Sequence, residues 1–360
     1  MTSSAGQGAA DGDPGRPDWQ PDRYLETYEM LTLPLAPDPD GEDPITATLV
    51  RKRGSLTAGR DGTPRAVLYV HGFTDYFFHE PLADFFHDRG YAFYALDLRK
   101  CGRSLLAAHT AHFATDLAVY DEELGQALDV IVDEVGGASG DPDILVAGHS
   151  TGGLITTLWL DRLRSADPTR HGRVRGLLLN SPWFDLQGDR ALRMPPASAL
   201  IETLRRVRPS TVIPQELSSA YGESLHDSAN GEWDYDLAVK PLGGFPVTFG
   251  FLGAVRRGHA QLHRGLDVGM PSLVLRSDKT VFDRSYRSTP DNSDVVLDVR
   301  QIARWSGCVG GRVSVVPITD ARHDVFLSVP NAREQAYREV DRWLRHTDAE
   351  HDSPAQEVSS

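Results

Sequence analysis

The alternation of short apolar runs with longer amphipathic stretches constrains this chain most. Residues 66–70 (AVLYV) and 91–98 (YAFYALDL) are nearly continuous apolar runs. A strand covered on both faces reads this way, because neither set of alternating side chains meets water. Residues 144–147, 174–180, 272–275 and 313–318 are further strand candidates. Between them, residues 115–135 place Leu117, Tyr120, Leu124, Leu128, Ile131 and Val135 at steps of three and four, which predicts one buried helix face. Residues 331–344 repeat that spacing with Ala336, Val340 and Trp343. Strands alternating with helices predict an α/β fold, doubly wound around a mostly parallel sheet. Near the start, residues 28–35 and 45–51 predict an antiparallel hairpin added to the edge of that sheet.

The rhythm breaks from 186 to 265, a stretch rich in Trp, Tyr, Pro and Gly. So long an irregular segment is unusual as a plain loop, so it is expected to be an inserted cap, with helices near 199–208 and 252–263. The expected organisation is a disordered tail (1–24), a core made of 25–185 and 266–346, the cap (186–265), and a disordered acidic tail (347–360). The first residues have neither a basic region nor an apolar one, unlike a secretory signal. No run of about 18 apolar residues is present to span a membrane. A soluble, cytoplasmic protein is expected. The formal net charge of -14 repels phosphate backbones, so nucleic acid is not an expected partner. Cys101 and Cys308, the 2 cysteines, are too few for a disulfide scaffold and read as small packed residues.

Gly148-His149-Ser150-Thr151-Gly152 fits G-x-S-x-G, directly after the strand at 144–147 and opening an apolar helix at 153–163. A sharp strand-to-helix turn forces unusual backbone angles on the serine, and the flanking glycines let the chain pass through the bend. The Ser150 hydroxyl would then project at the carboxyl edge of the sheet, where open α/β sheets bind ligands. A serine hydroxyl needs a base to take its proton, and the base needs an acid to orient it. His323 follows the last strand candidate, which brings it to the same edge. His71 and His149 lie inside glycine turns and suit local hydrogen bonding. For the acid, Asp278 ends the strand at 272–275, whereas Asp294 precedes the helix at 299–305 after a polar stretch, 279–292. If that stretch loops out, Asp294 takes the strand-to-helix position. Gly72 after the strand at 66–70 lets the backbone approach a substrate. The Phe73 and Thr151 amides are therefore the candidate oxyanion donors.

With those residues in place, the chain resembles the α/β-hydrolases, in the branch holding lysophospholipases, monoacylglycerol lipases and serine aminopeptidases. HGF at 71–73, GHSTGG at 148–153, DVVLD at 294–298 and ARHD at 321–324 carry the resemblance, with 97–104 similar to the family's D-x-R-G-x-G-x-S. Lys100-Cys101 departs from that last pattern, which often has a single glycine there, and the long loop before Asp294 departs too. The resemblance implies an acid followed after four residues by a second Asp, with the His about thirty residues on. Asp294, Asp298 and His323 fit this better than Asp278 does.

These readings predict a serine hydrolase acting on a small-molecule acyl ester of lysophospholipid or monoglyceride type, with no cofactor and no metal. The substrate type rests on the resemblance alone. A serine aminopeptidase using the same residues and a non-catalytic ligand-binding module are the alternatives. His259 and His263 have the i, i+4 spacing of metal ligands but no third partner in the sequence. Trp233, Tyr235, Phe245, Phe249 and Phe251 are expected either to line an acyl pocket or to pack the cap. Glu223, Glu232, Asp234 and Asp236 are expected to form a solvated acidic face, with holding a peptide amine as the alternative.

Overall fold

The computed structural model describes residues 17–54, 63–136, 142–186, 203–214, 218–282 and 289–352. A nine-stranded sheet forms its centre, in the order β1-β2-β3-β5-β4-β6-β7-β8-β9. The strands are β1 (Gln20–Pro21), β2 (Tyr28–Pro34), β3 (Thr46–Lys52), β4 (Arg65–Val70), β5 (Ala92–Asp97), β6 (Asp143–His149), β7 (Val174–Asn180), β8 (Ser272–Ser277) and β9 (Val313–Ile318). From β4 to β9 neighbouring strands run parallel. The hairpin of β2 and β3 joins this set antiparallel through β5, with Tyr28 opposite Lys52 and Pro34 opposite Thr46. The chain adopts the doubly wound fold its alternation predicts.

Alternation within each strand separates two layers. Val67, Tyr69, Phe93, Ala95, Leu145 and Ala147 face the layer covered by Glu80–His87 and Pro330–Asp352. Ala66, Leu68, Val70, Tyr94, Leu96 and Val146 face the other, against Asp121–Ile131, Thr151–Ala166, Phe249–Leu262 and Val299–Ser306. Both faces are dry, hence the continuous apolar runs in the sequence.

Several segments differ from expectation. Residues 17–24, expected within a disordered tail, are anchored. β1 pairs with β2, and Asp22 grips the buried Arg103 guanidinium with both oxygens, at 2.6 and 2.7 Å. Local composition carries no sign of an ion pair reaching so far along the chain. The last helix runs on to Asp352, past the expected boundary, through polar residues that lack an apolar period. Residues 115–135 are not one regular helix. Asp116 accepts from the Ala118 amide at 3.0 Å and starts a 3-10 turn (Leu117–Tyr120). A regular helix (Asp121–Ile131) and a wider π turn (Val132–Gly136) follow.

Of the expected 199–208 helix, residues 203–207 are helical and 199–202 lie outside the described residues. The helix near 252–263 is Phe249–Leu262, and it packs straight onto the core through Phe251, Ala254, Val255 and Leu262. Gly258 allows this approach, since a Cβ there would lie 2.9 Å from Leu158 and 3.0 Å from Leu117. No described helix is long and apolar enough to cross a membrane.

Candidate active site

Parallel register brings the carboxyl ends of the central strands level, with Val70 opposite Gly148 and Gly148 opposite Leu179. Ser150 turns the chain from β6 into Thr151–Ala166 with φ 50° and ψ −115°, a backbone region that side-chain-bearing residues avoid. The turn closes because its neighbours lack side chains. A Cβ on Gly148 would lie 2.8 Å from Gly152 O and Gly153 Cα, and one on Gly152 would overlap the Val70 and His71 carbonyl oxygens. Hydrogen bonds hold the turn as well. The Ser150 amide donates to Asn180 O at 2.9 Å, and Ser150 O accepts from the Trp183 amide at 2.9 Å.

His323 leaves β9 in a turn and reaches the serine. Its Nε2 lies 3.0 Å from Ser150 Oγ, and its Nδ1 lies 2.9 Å from Asp294 Oδ2. An ionised carboxylate only accepts, so the Nδ1 proton points at Asp294, and Nε2 is left to accept from the serine hydroxyl. Asp294 is wholly buried. Its other oxygen accepts the Val296 and Leu297 amides at 2.8 and 2.7 Å, which fixes the carboxylate plane.

Asp294 reaches this position by rejoining the strand end. Its amide donates to Lys279 O and its carbonyl accepts from the Val281 amide, both at 3.0 Å. An isolated parallel bridge thus joins Asp294 to Thr280, three residues past the end of β8. Asp278 is exposed and accepts from the Asp320 amide at 3.1 Å, so the structure brings Asp294 to His323 and leaves Asp278 elsewhere.

The other sequence candidates fall into place around this chain of hydrogen bonds. His71 Nδ1 donates to Gly72 O at 2.7 Å and its Nε2 accepts from the Leu98 amide at 3.1 Å. His149 Nδ1 donates to Asn180 O at 3.1 Å, and its ring centroid lies 4.9 Å from that of His323. Burial pushes the His149 pKa down to about 4, against the pull of Asp324, so its ring is neutral beside the serine. Phe73 and Thr151 both border the cavity with Ser150, and neither backbone amide donates to an acceptor in the hydrogen bonds of the described residues. A Cβ on Gly72 would lie 3.0 Å from that of Ser150. Glycine therefore lets the Phe73 loop close on the serine.

The cavity encloses about 840 Å³. One wall is apolar and continuous with the core: Phe73, Trp183, Val247, Val296 and Leu297. Other lining residues, Tyr221, Leu225 and Tyr235, belong to a smaller cluster, and Asp75 and Lys240, which also line the cavity, form a buried ion pair. Of the five aromatic candidates, Tyr235 reaches the cavity, while Phe251 stacks behind Phe73 at 4.9 Å between centroids. Glu223, Glu232, Asp234 and Asp236 do not border it among the described residues. His259 and His263 donate from Nε2 to the Trp183 and Phe184 carbonyls, each at 2.8 Å.

Sequence reading did not single out Trp183, Tyr221, Asp75, Lys240 or Asn180. The position of Trp183, just past the end of β7, is a usable signal. Asn180 ties the serine turn to the histidine loop. Its side chain donates to Asp324 Oδ1 at 2.7 Å and accepts from the Val325 amide at 3.1 Å, while its carbonyl holds Ser150.

The sequence matches the alpha/beta hydrolase family over residues 67–336, and the chain belongs to that family. No curated protein matches it. Among solved structures it is similar to a soluble variant of monoglyceride lipase from Saccharomyces cerevisiae, determined with a substrate analogue. The TM-score is 0.58 at 14% identity, covering 94% of this chain and 99% of that one. Paleococcus ferrophilus monoacylglycerol lipase gives a TM-score of 0.56 at 17% identity, covering 84% and 99%. A carboxyl esterase from Bacillus coagulans gives 0.57 at 13%, covering 90% and 99%. These likenesses are likenesses of fold.

Proposed function

We propose that this protein is a serine hydrolase that cleaves carboxylic esters through an acyl-enzyme. The observation that carries this reading is the unbroken hydrogen-bonded chain Ser150–His323–Asp294 opening on a cavity of about 840 Å³. Ser150 Oγ attacks the ester carbonyl carbon as its proton passes to His323 Nε2. Asp294 holds the ring and stabilises the imidazolium, and the Phe73 and Thr151 amides receive the oxyanion. Collapse of the tetrahedral intermediate expels the alcohol, which takes the proton from Nε2. A water activated by the same nitrogen then releases the acid and restores Ser150.

The substrate we favour is a small or medium acyl ester of lysophospholipid or monoglyceride type. The apolar wall suits an acyl chain, and the named lipases share the fold. On this reading residues 186–265 act as the cap over the core of 25–185 and 266–346.

Intact mass after fluorophosphonate treatment tests the reading. Wild type is expected to gain one adduct and Ser150→Ala none. Asp294→Asn is expected to slow labelling by roughly 10³–10⁴-fold, because the ring then loses its orientation and tautomer, and Asp278→Asn to match wild type. An unlabelled wild type overturns the proposal.

A further inference from the structure

The loop after β4 is held, residue after residue, by the segment that crosses above it. Tyr76 Oη accepts from the Asp236 amide at 2.9 Å. Asp75 Oδ1 receives Lys240 Nζ at 2.5 Å. Thr74 Oγ1 accepts from the Phe245 amide at 2.9 Å. Asp75 and Lys240 are 3% and 6% exposed, and both border the cavity with Ser150. The ammonium also sits 5.4 Å from the Phe78 ring centroid and 5.5 Å from that of Tyr235. Asp75 has no other hydrogen-bond partner among the described residues, so losing Lys240 strands a buried carboxylate.

The same loop is under conformational tension. Thr74, next to Phe73, has φ 53°, a left-handed angle that a β-branched residue adopts only when its surroundings enforce it. The enforcing contacts are the Thr74 amide donating to His112 Nε2 at 3.1 Å from below, and the 236–245 segment from above. The direction of the Phe73 amide follows from this backbone. An apolar contact would attach the segment as firmly, but it would not fix direction; a short, desolvated ion pair does.

Resting on the reading of Phe73 as an oxyanion donor, we propose that Lys240 and Asp75 are positioning residues. Their ion pair locks the Phe73 loop, so the oxyanion site is complete only while the 236–245 segment is seated. Seating that segment and assembling the site are then one event. The pair contributes to the transition state through the loop, without touching the substrate.

The test compares wild type with Asp75→Asn, Lys240→Met and the double variant Asp75→Asn/Lys240→Met. The readouts are kcat and KM on a p-nitrophenyl ester, and Ki for a trifluoromethyl ketone of matching chain, whose adduct on Ser150 carries the oxyanion. Each single variant is expected to lose roughly 10–100-fold in kcat, less than the roughly 10²–10³-fold of removing an oxyanion donor outright because the amide is misdirected and not deleted, with KM within about threefold. The ketone Ki is expected to rise in proportion to the loss in kcat/KM. The double variant is expected to be no worse than the poorer single one, because no charge is left stranded. It keeps the test open if Lys240→Met alone does not fold.

A raised KM with unchanged kcat and ketone affinity falling no further than KM rises would make the pair a substrate contact and overturn the proposal. Unchanged kinetics in all variants would overturn it equally. Fluorophosphonate labelling of wild-type Ser150 comes first: its failure would remove the hydrolase reading itself, whereas labelling with normal kinetics in the variants removes only the positioning role.

Discussion

Gly152 and Gly72 both lack a side chain next to Ser150, for different reasons. A Cβ at 152 would meet backbone carbonyls of β4 and the residue after it, which have nowhere to go. Gly152→Ala is expected to cost at least about 2 kcal/mol of unfolding free energy, seen as a lower urea midpoint. A Cβ at 72 would press on Ser150 Cβ and the His149 ring at 3.0 and 3.2 Å, a contact relieved by a shift of a few tenths of an ångström that falls on the serine itself. Gly72→Ala is therefore expected to keep most of its stability while losing kcat. Ser150 and His323 were legible because each directly follows a strand and one sits in a glycine-flanked turn. Asp294 and Asp278 stayed open because the polar stretch between them hides a strand end that closes only in three dimensions, where Asp294 pairs beside Thr280.

At the level of elements, Phe249–Leu262 works as a clamp. His263 stacks on Trp305 with centroids 3.5 Å apart, and both of its histidines hold carbonyls of the chain leaving β7. Their i, i+4 spacing was legible, but its purpose was not, since the carbonyls lie about eighty positions away in sequence. Burial depresses His259 to about 4, partly opposed by its bond to Trp183 O and by Asp185, with His263 and Arg256 adding to the depression. The folded protein then binds fewer protons than the unfolded chain between that value and the usual 6.5. Stability is expected to fall as pH drops through this window, by up to about 3 kcal/mol from this group. His259→Gln is expected to flatten the slope, measured as urea unfolding free energy at pH 7 and pH 5. The apolar runs of β4 to β8 were readable for the opposite reason, because those strands are buried on both faces by layers that follow them closely in sequence.

Over the whole molecule, a formal charge of -14 makes the folded state repel itself. Raising ionic strength from about 10 to 150 mM shortens the Debye length to roughly 8 Å and is expected to raise the melting temperature. Calorimetry at fixed pH checks this; a flat response would mean that ion pairs such as Arg51 with Glu29 and Glu134 offset the repulsion. The long-range pairs, Asp22 with Arg103 above all, were invisible in sequence because nothing local encodes them.

The hydrogen bond from Ser150 to His323 spans 173 positions, and Arg89 meets Asp341 across 252. Contacts of that reach form late, after the intervening chain has paid its loop-closure entropy. On the proposed reading of Ser150 as the nucleophile, a chain still emerging from the ribosome carries an inactive serine until His323 has been made and has reached it. In time as well as in space, reactivity is the final property the molecule acquires.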